Sequence, residues 1–137
     1  MSESVSAGKV EIEGLVTSSA EEVKGFLKEG EELLKKGEVV QASETIYKAA
    51  EDTVKILAKT HAPDIYGEAE SRGRWTASLL DKAVRSLERK LGEDVGRGWD
   101  AAWVLHVEGF HEESLDEEAF KWRLRHVLRL VNILKQV

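Results

Sequence analysis

Apolar residues return at helical spacing through most of this chain, and the breaks between the stripes are short. Val23, Phe26, Leu27, Leu33 and Leu34 form the first stripe. It starts behind Ser19-Ala20-Glu21-Glu22, a capping box in which the serine and the glutamate each satisfy an orphan backbone N–H, and it stops at Gly37. Val39, Ala42, Ile46, Ala49, Ala50, Val54 and Leu57 form the second, whose alanines allow close helix–helix approach. Pro63 ends it, because proline clashes with a continuing helix. Residues 64–73, broken by Gly67 and Gly73, read as a connection. A third helix over about 70–91 carries Trp75, Leu79, Ala83, Leu87 and Leu91. A fourth over about 94–112, capped by Asp94, carries Trp99, Ala102, Trp103, His106 and Phe110. Ser114-Leu115-Asp116-Glu117 reads as a second capping box and opens a last helix over 115–136, with Phe120, Leu124, Val127, Leu128, Val131 and Leu134 inward.

Residues 1–17 have no helical period; Val10, Ile12 and Leu15 suggest at most a short extended piece, and a flexible N-terminal arm is expected. After it no alternating β-branched run competes with the helices. Short loops make sequential helices antiparallel. The pattern therefore predicts an all-α, up-and-down bundle of four to five antiparallel helices in one domain over residues 18–137, with no internal repeat and no low-complexity segment.

Composition narrows the chemistry. The 137 residues carry 20 Lys and Arg against 26 Asp and Glu, a net charge of −6, which argues against a non-specific nucleic-acid coat. With no cysteine, a disulfide framework, a thiolate metal site and a cysteine nucleophile are excluded. No apolar run approaches the roughly 20 residues of a membrane span, and the first residues lack a signal-peptide layout, so a cytoplasmic protein is expected. Charged residues make up 34%, while Met1, Gln41, Asn132 and Gln136 are the whole complement of Met, Asn and Gln. That bias is the one reported for thermophiles.

Candidate chemistry concentrates in Trp99–Glu112, WDAAWVLHVEGFHE. His106 shares a face with Trp99 and Trp103 and should point inward, where an imidazole must be neutral or paired. It is either a core histidine satisfied by a carbonyl or by Glu44, or part of a polar pocket. Glu108 and His111 match the Glu-x-x-His pair of di-metal bundles, but there is no second copy. His106 and His111, five residues apart, would sit about 140° apart on an α-helix, poor geometry for joint chelation; no metal site and no cofactor is implied. Gln41, Glu44, Tyr47, Glu51 and Asp52 decorate the second helix, with Glu44, Tyr47 and Glu51 forming one polar line. That line is either a solvated face or a strip shared with His106 and Trp75. Lys121, Arg125 and Arg129, behind the acids Asp116, Glu117 and Glu118, suit the helix dipole; a small phosphate or RNA stripe is the alternative. Walker, dinucleotide-binding, His-Glu-x-x-His and nucleophile-elbow patterns are lacking.

Residues 37–57, GEVVQASETIYKAAEDTVKIL, resemble the archaeal paREP family in its first subgroup. The family's Gly, Gln-Ala-x-Glu and Tyr-Lys-Ala-Ala-Glu fall on Gly37, Gln41, Ala42, Glu44, Tyr47, Lys48, Ala49, Ala50 and Glu51. Trp75 and the stretch holding Leu105, His106, Phe110, His111 and Glu112 are similar as well. The resemblance implies a bundle similar to the HEPN class, whose members are helical and commonly dimeric, and either partner a small nucleotidyltransferase or cleave RNA. HEPN RNases use an Arg followed four to six residues later by a His. None of His61, His106, His111 or His126 has one there, which argues against cleavage.

Three functions are consistent with these residues. The leading one is a non-catalytic homodimer that binds a partner protein or a nucleotide- or RNA-like ligand, in a pocket of Gln41, Glu44, Trp75, His106, His111 and Glu112. There Trp75 would supply a stacking face, and Glu44 would orient His106. The second is a hydrolase or RNase with His106 as general base beside a carboxylate. The third is an oligomerisation module anchored by Trp103 and Trp122.

Overall fold

The computed structural model describes residues 18–137; the arm expected over residues 1–17 lies outside them. Six α-helices follow in order: α1 (Ala20–Lys35), α2 (Val39–His61), α3 (Pro63–Arg72), α4 (Ala77–Leu91), α5 (Glu93–Val104) and α6 (Glu117–Asn132). A π-helical turn, Leu105–His111, continues α5, and a 3₁₀ turn, Ile133–Lys135, ends α6. Among the described residues there is no strand, and no helix is long and apolar enough to cross a membrane.

The first helix begins as its sequence demands. Ser19 Oγ accepts the Glu22 N–H at 3.2 Å and Glu22 Oε1 accepts the Ser19 N–H at 2.8 Å. Elsewhere the local signals misled. The stretch 64–73 is a helix rather than a connection, so the helices number six and the next one starts at Ala77. Pro63, which stops α2, is also preorganised for the first turn of α3; Gly67 sits inside α3, and only Gly73, at φ 75°, breaks it. Trp75 thus precedes α4, whose cap is Thr76. Asp94 lies in the first turn of α5 behind Gly92, which provides no side-chain cap. The cap of α6 is Asp116, accepting the Ala119 N–H at 2.7 Å; Ser114 Oγ instead donates to the Glu108 carbonyl at 3.0 Å.

The second helix is the axis of the bundle and touches all the others. Its small residues make that possible: Ala42, Ala49, Ala50 and Ala58 are wholly buried, with Ile46, Val54 and Leu57 between them. Being surrounded, α2 buries polar residues too. Thr53 Oγ1 donates to the Ala49 carbonyl at 2.8 Å, and Asp52 accepts the Ser18 hydroxyl at 2.7 Å. Lys55 reaches Glu51 at 3.2 Å.

Glycines mark the crossings. A Cβ on Gly30 would lie 2.8 Å from Ile46 Cγ1, and one on Gly98 would lie 2.9 Å from the His126 carbonyl oxygen and meet Leu130. Gly109 sits against Ser43 and Leu115. Along α2 the partners run backwards, Ser43 meeting Gly109 while Tyr47 meets Trp103 and Trp99, so α2 is antiparallel to α5 and its π turn. Phe120, Leu105, Leu130, Val95 and Val127 close the core from α5, the π turn and α6. Leu128, expected inward, is 37% exposed.

Candidate functional site

The site forms where the π-helical turn leans on α2. Gly109 is buried there, and a Cβ on it would fall against Ser43 Oγ and 2.7 Å from Ser43 Cβ. Only a residue without a side chain lets the two backbones come this close. The widened turn is closed by the Glu112 N–H donating to the Val107 carbonyl at 2.9 Å, an i→i+5 bond. Glu113 then turns the chain at φ 53°.

Glu44 follows Ser43 on α2, and this approach brings it to His106. Glu44 Oε1 accepts from His106 Nδ1 at 2.8 Å, with side-chain exposures of 36% and 21%. An ionised carboxylate only accepts, so the imidazole proton sits on Nδ1 and, in the neutral ring, Nε2 holds a lone pair. Tyr47, one turn along α2, stacks on the same imidazole with centroids 4.2 Å apart. Burial, then the charges of Glu51, Glu44 and Asp52, push the Tyr47 phenol well above its usual range, so it remains a neutral stacking ring.

His111 comes to the other side of His106. The two Nε2 atoms are 3.3 Å apart and the ring planes are nearly perpendicular, at 82°. The expectation that residues 106 and 111 diverge is corrected by the π turn: i→i+5 bonding places residues five apart nearly above one another. Trp103 at 5.4 Å and Phe110 at 6.4 Å complete the set of rings around His106. Trp103 is 41% exposed. It also walls a cleft of about 250 Å³ whose other lining residues are Ala77, Asp81, Trp99 and Asp100.

Of the six candidate residues, Glu44, His106 and His111 form one chain of contacts. Gln41 and Glu112 are exposed, on α2 and just after the π turn, and make no side-chain hydrogen bond among the described residues. Trp75 belongs elsewhere: its ring meets Tyr66 edge-on at 6.1 Å and packs on Ala69 and Leu79, so it does not supply the stacking face next to His106. Tyr47 and Trp103 take that place. Tyr47 was visible only as part of a polar line, and its i+3 spacing from Glu44 was the one signal that it shares Glu44's partner.

Comparison with known proteins places the chain in a family. The model of the archaeal PaREP1/PaREP8 family matches residues 18–131, the greater part of the chain. The chain belongs to that family. A crystal structure of a Sulfolobus solfataricus protein, a structural-genomics target, is similar with a TM-score of 0.77 at 37% identity, covering 87% of this chain and 96% of that one. A solution structure of the same target gives a TM-score of 0.71 at 38% identity, covering 85% and 88%. No curated protein matches. The PaREP1/PaREP8 chain therefore shares its helical bundle with these structures.

Proposed function

We propose that this PaREP1/PaREP8 chain is a HEPN-like, non-catalytic homodimeric module that binds a nucleotide- or RNA-like ligand by its base, at Trp103 and the rings around His106. The observation that carries the reading is a half-exposed tryptophan held between an acid-lined cleft and an oriented imidazole. Bases stack on exposed aromatic rings, each contributing about 1–3 kcal/mol. Asp81 and Asp100 beside Trp103 accept hydrogen bonds from ring N–H and amino groups and repel phosphate, so the base enters and the phosphate stays in solvent. Titrating nucleosides, nucleotides and short RNAs while following tryptophan fluorescence tests this. Trp103→Ala should weaken binding about 5- to 150-fold. No response across the panel refutes the ligand site. The homodimer is supported by Trp122, 60% exposed on α6 and not used by the base. Sedimentation that gives a monomer at every concentration rejects it.

A second reading, a hydrolase or RNase, is favoured by the Glu44–His106 hydrogen bond, which orients an imidazole for general-base work. Its test is turnover by the wild type that His106→Ala abolishes. An assay showing no His106-dependent cleavage retires it.

A further inference from the structure

We infer that His106 and His111 together bind a divalent first-row metal ion of imidazole preference, such as Zn²⁺, with Glu44 as the hydrogen-bond partner behind one ligand. Two nitrogens held about 2.0–2.1 Å from one tetrahedral ion stand about 3.3 Å apart, and the two Nε2 atoms stand 3.3 Å apart. Both belong to side chains that reach the surface: His111 is exposed and His106 is partly so. Glu44 settles which nitrogen of His106 is available. By accepting from Nδ1 at 2.8 Å it keeps the proton there and turns the Nε2 lone pair toward His111. This is the carboxylate–histidine arrangement that fixes the tautomer and raises ligand basicity at metal sites.

His111 adapts at little cost. Without an ion its Nε2–H donates to His106 Nε2; with one, that proton moves through water to its own Nδ1, and no net proton is released from the neutral pair. The ring is exposed and α-helix geometry does not constrain it, because it sits at the end of the π turn. Among the described residues no group of three or more His, Cys, Asp or Glu converges on one point. The ion would therefore keep water on its remaining positions, one more than a zinc site with three protein ligands leaves open. Soft thiolate chemistry is excluded in a chain without cysteine, which leaves ions that accept imidazole and water, Zn²⁺, Ni²⁺ and Cu²⁺ foremost. The site shares His106 with the base-binding reading but uses neither Trp103 nor the cleft beside it, so Zn²⁺ binding is tested separately from base stacking.

The test is calorimetric titration of the untagged full chain with Zn²⁺ alone. One ion per chain is expected. His111→Ala, an exposed position whose fold is checked by circular dichroism, should reduce binding by at least about 100-fold. Glu44→Gln, which loses the charged acceptor, should weaken it about 10- to 100-fold, while His61→Ala leaves it unchanged. No binding, binding unaffected by His111→Ala, or an equal loss in His61→Ala would overturn the proposal.

Discussion

Gly109→Ala tests the contact that builds the site. The added methyl group would lie against Ser43 Oγ, 2.7 Å from Ser43 Cβ and 3.3 Å from Leu115 Cδ1. The hydroxyl can rotate away, but Ser43 Cβ is tied to the α2 backbone, so the π turn and α2 must separate. Overpacking of this kind costs about 1–3 kcal/mol. Alanine returns up to about 1 kcal/mol of helix propensity, leaving a net loss of about 1–2 kcal/mol in urea unfolding. The separation falls directly beside Glu44, so the His106 Nδ1–H resonance should also lose its protection from exchange with water. Gly25→Ala is the control. It is exposed in mid-α1 with nothing within 4 Å of its Cβ position, so propensity alone acts and stability should rise by up to about 1 kcal/mol. If Gly109→Ala is as stable as the wild type and keeps the protected His106 proton, the close approach to Ser43 is not what sets the site.

Three further outcomes follow from local physics. Asp116→Ala removes the side chain that caps α6 and should cost about 1 kcal/mol, read from the urea midpoint; Asp116→Ser should be nearly neutral, and equal losses in both would refute the cap. Glu113 sits at φ 53° without being glycine, so Glu113→Gly should raise stability by about 1 kcal/mol, and a lowered midpoint would contradict that strain. The His126 imidazole is held below its usual pKa by burial first, then by the charges of Arg125, Arg129 and Arg97, with Asp94 opposing them. The folded state thus binds this proton less readily than the unfolded state. Stability is full above the unfolded value of about 6.5 and is lost as pH falls below it toward the lowered folded value. Unfolding measured from pH 8 to pH 5 should show that loss reduced in His126→Gln; an unchanged slope would assign it to other groups.

Much of this molecule is written locally. The Ser19–Glu22 box starts α1 because both partners lie within one turn. The alanine-rich stripe of α2 identifies a helix buried by its neighbours, and the face shared by Trp99, Trp103 and His106 already turns the imidazole toward α2 and Glu44. The limits of local reading are equally specific. Residues 64–73 look like a connection because Gly67 carries a poor helix propensity, yet a proline preorganised at the first turn and Ala69 wholly buried against the bundle hold α3 together. Trp75 falls in step with Leu79 and Ala83, and nothing in that spacing announces that its ring partner is Tyr66.

By itself the sequence determined an all-helical bundle over the described residues, most of its helix boundaries and the inward direction of His106, since capping and periodicity depend on residues a turn or two apart. Only the tertiary structure decided that His106 and His111 meet. Five residues diverge on an α-helix. They converge here because Gly109 seats its backbone on Ser43, a residue from far back in the chain, and the helix widens into a π turn at that contact. No local pattern encodes a turn whose stability comes from the helix it leans on.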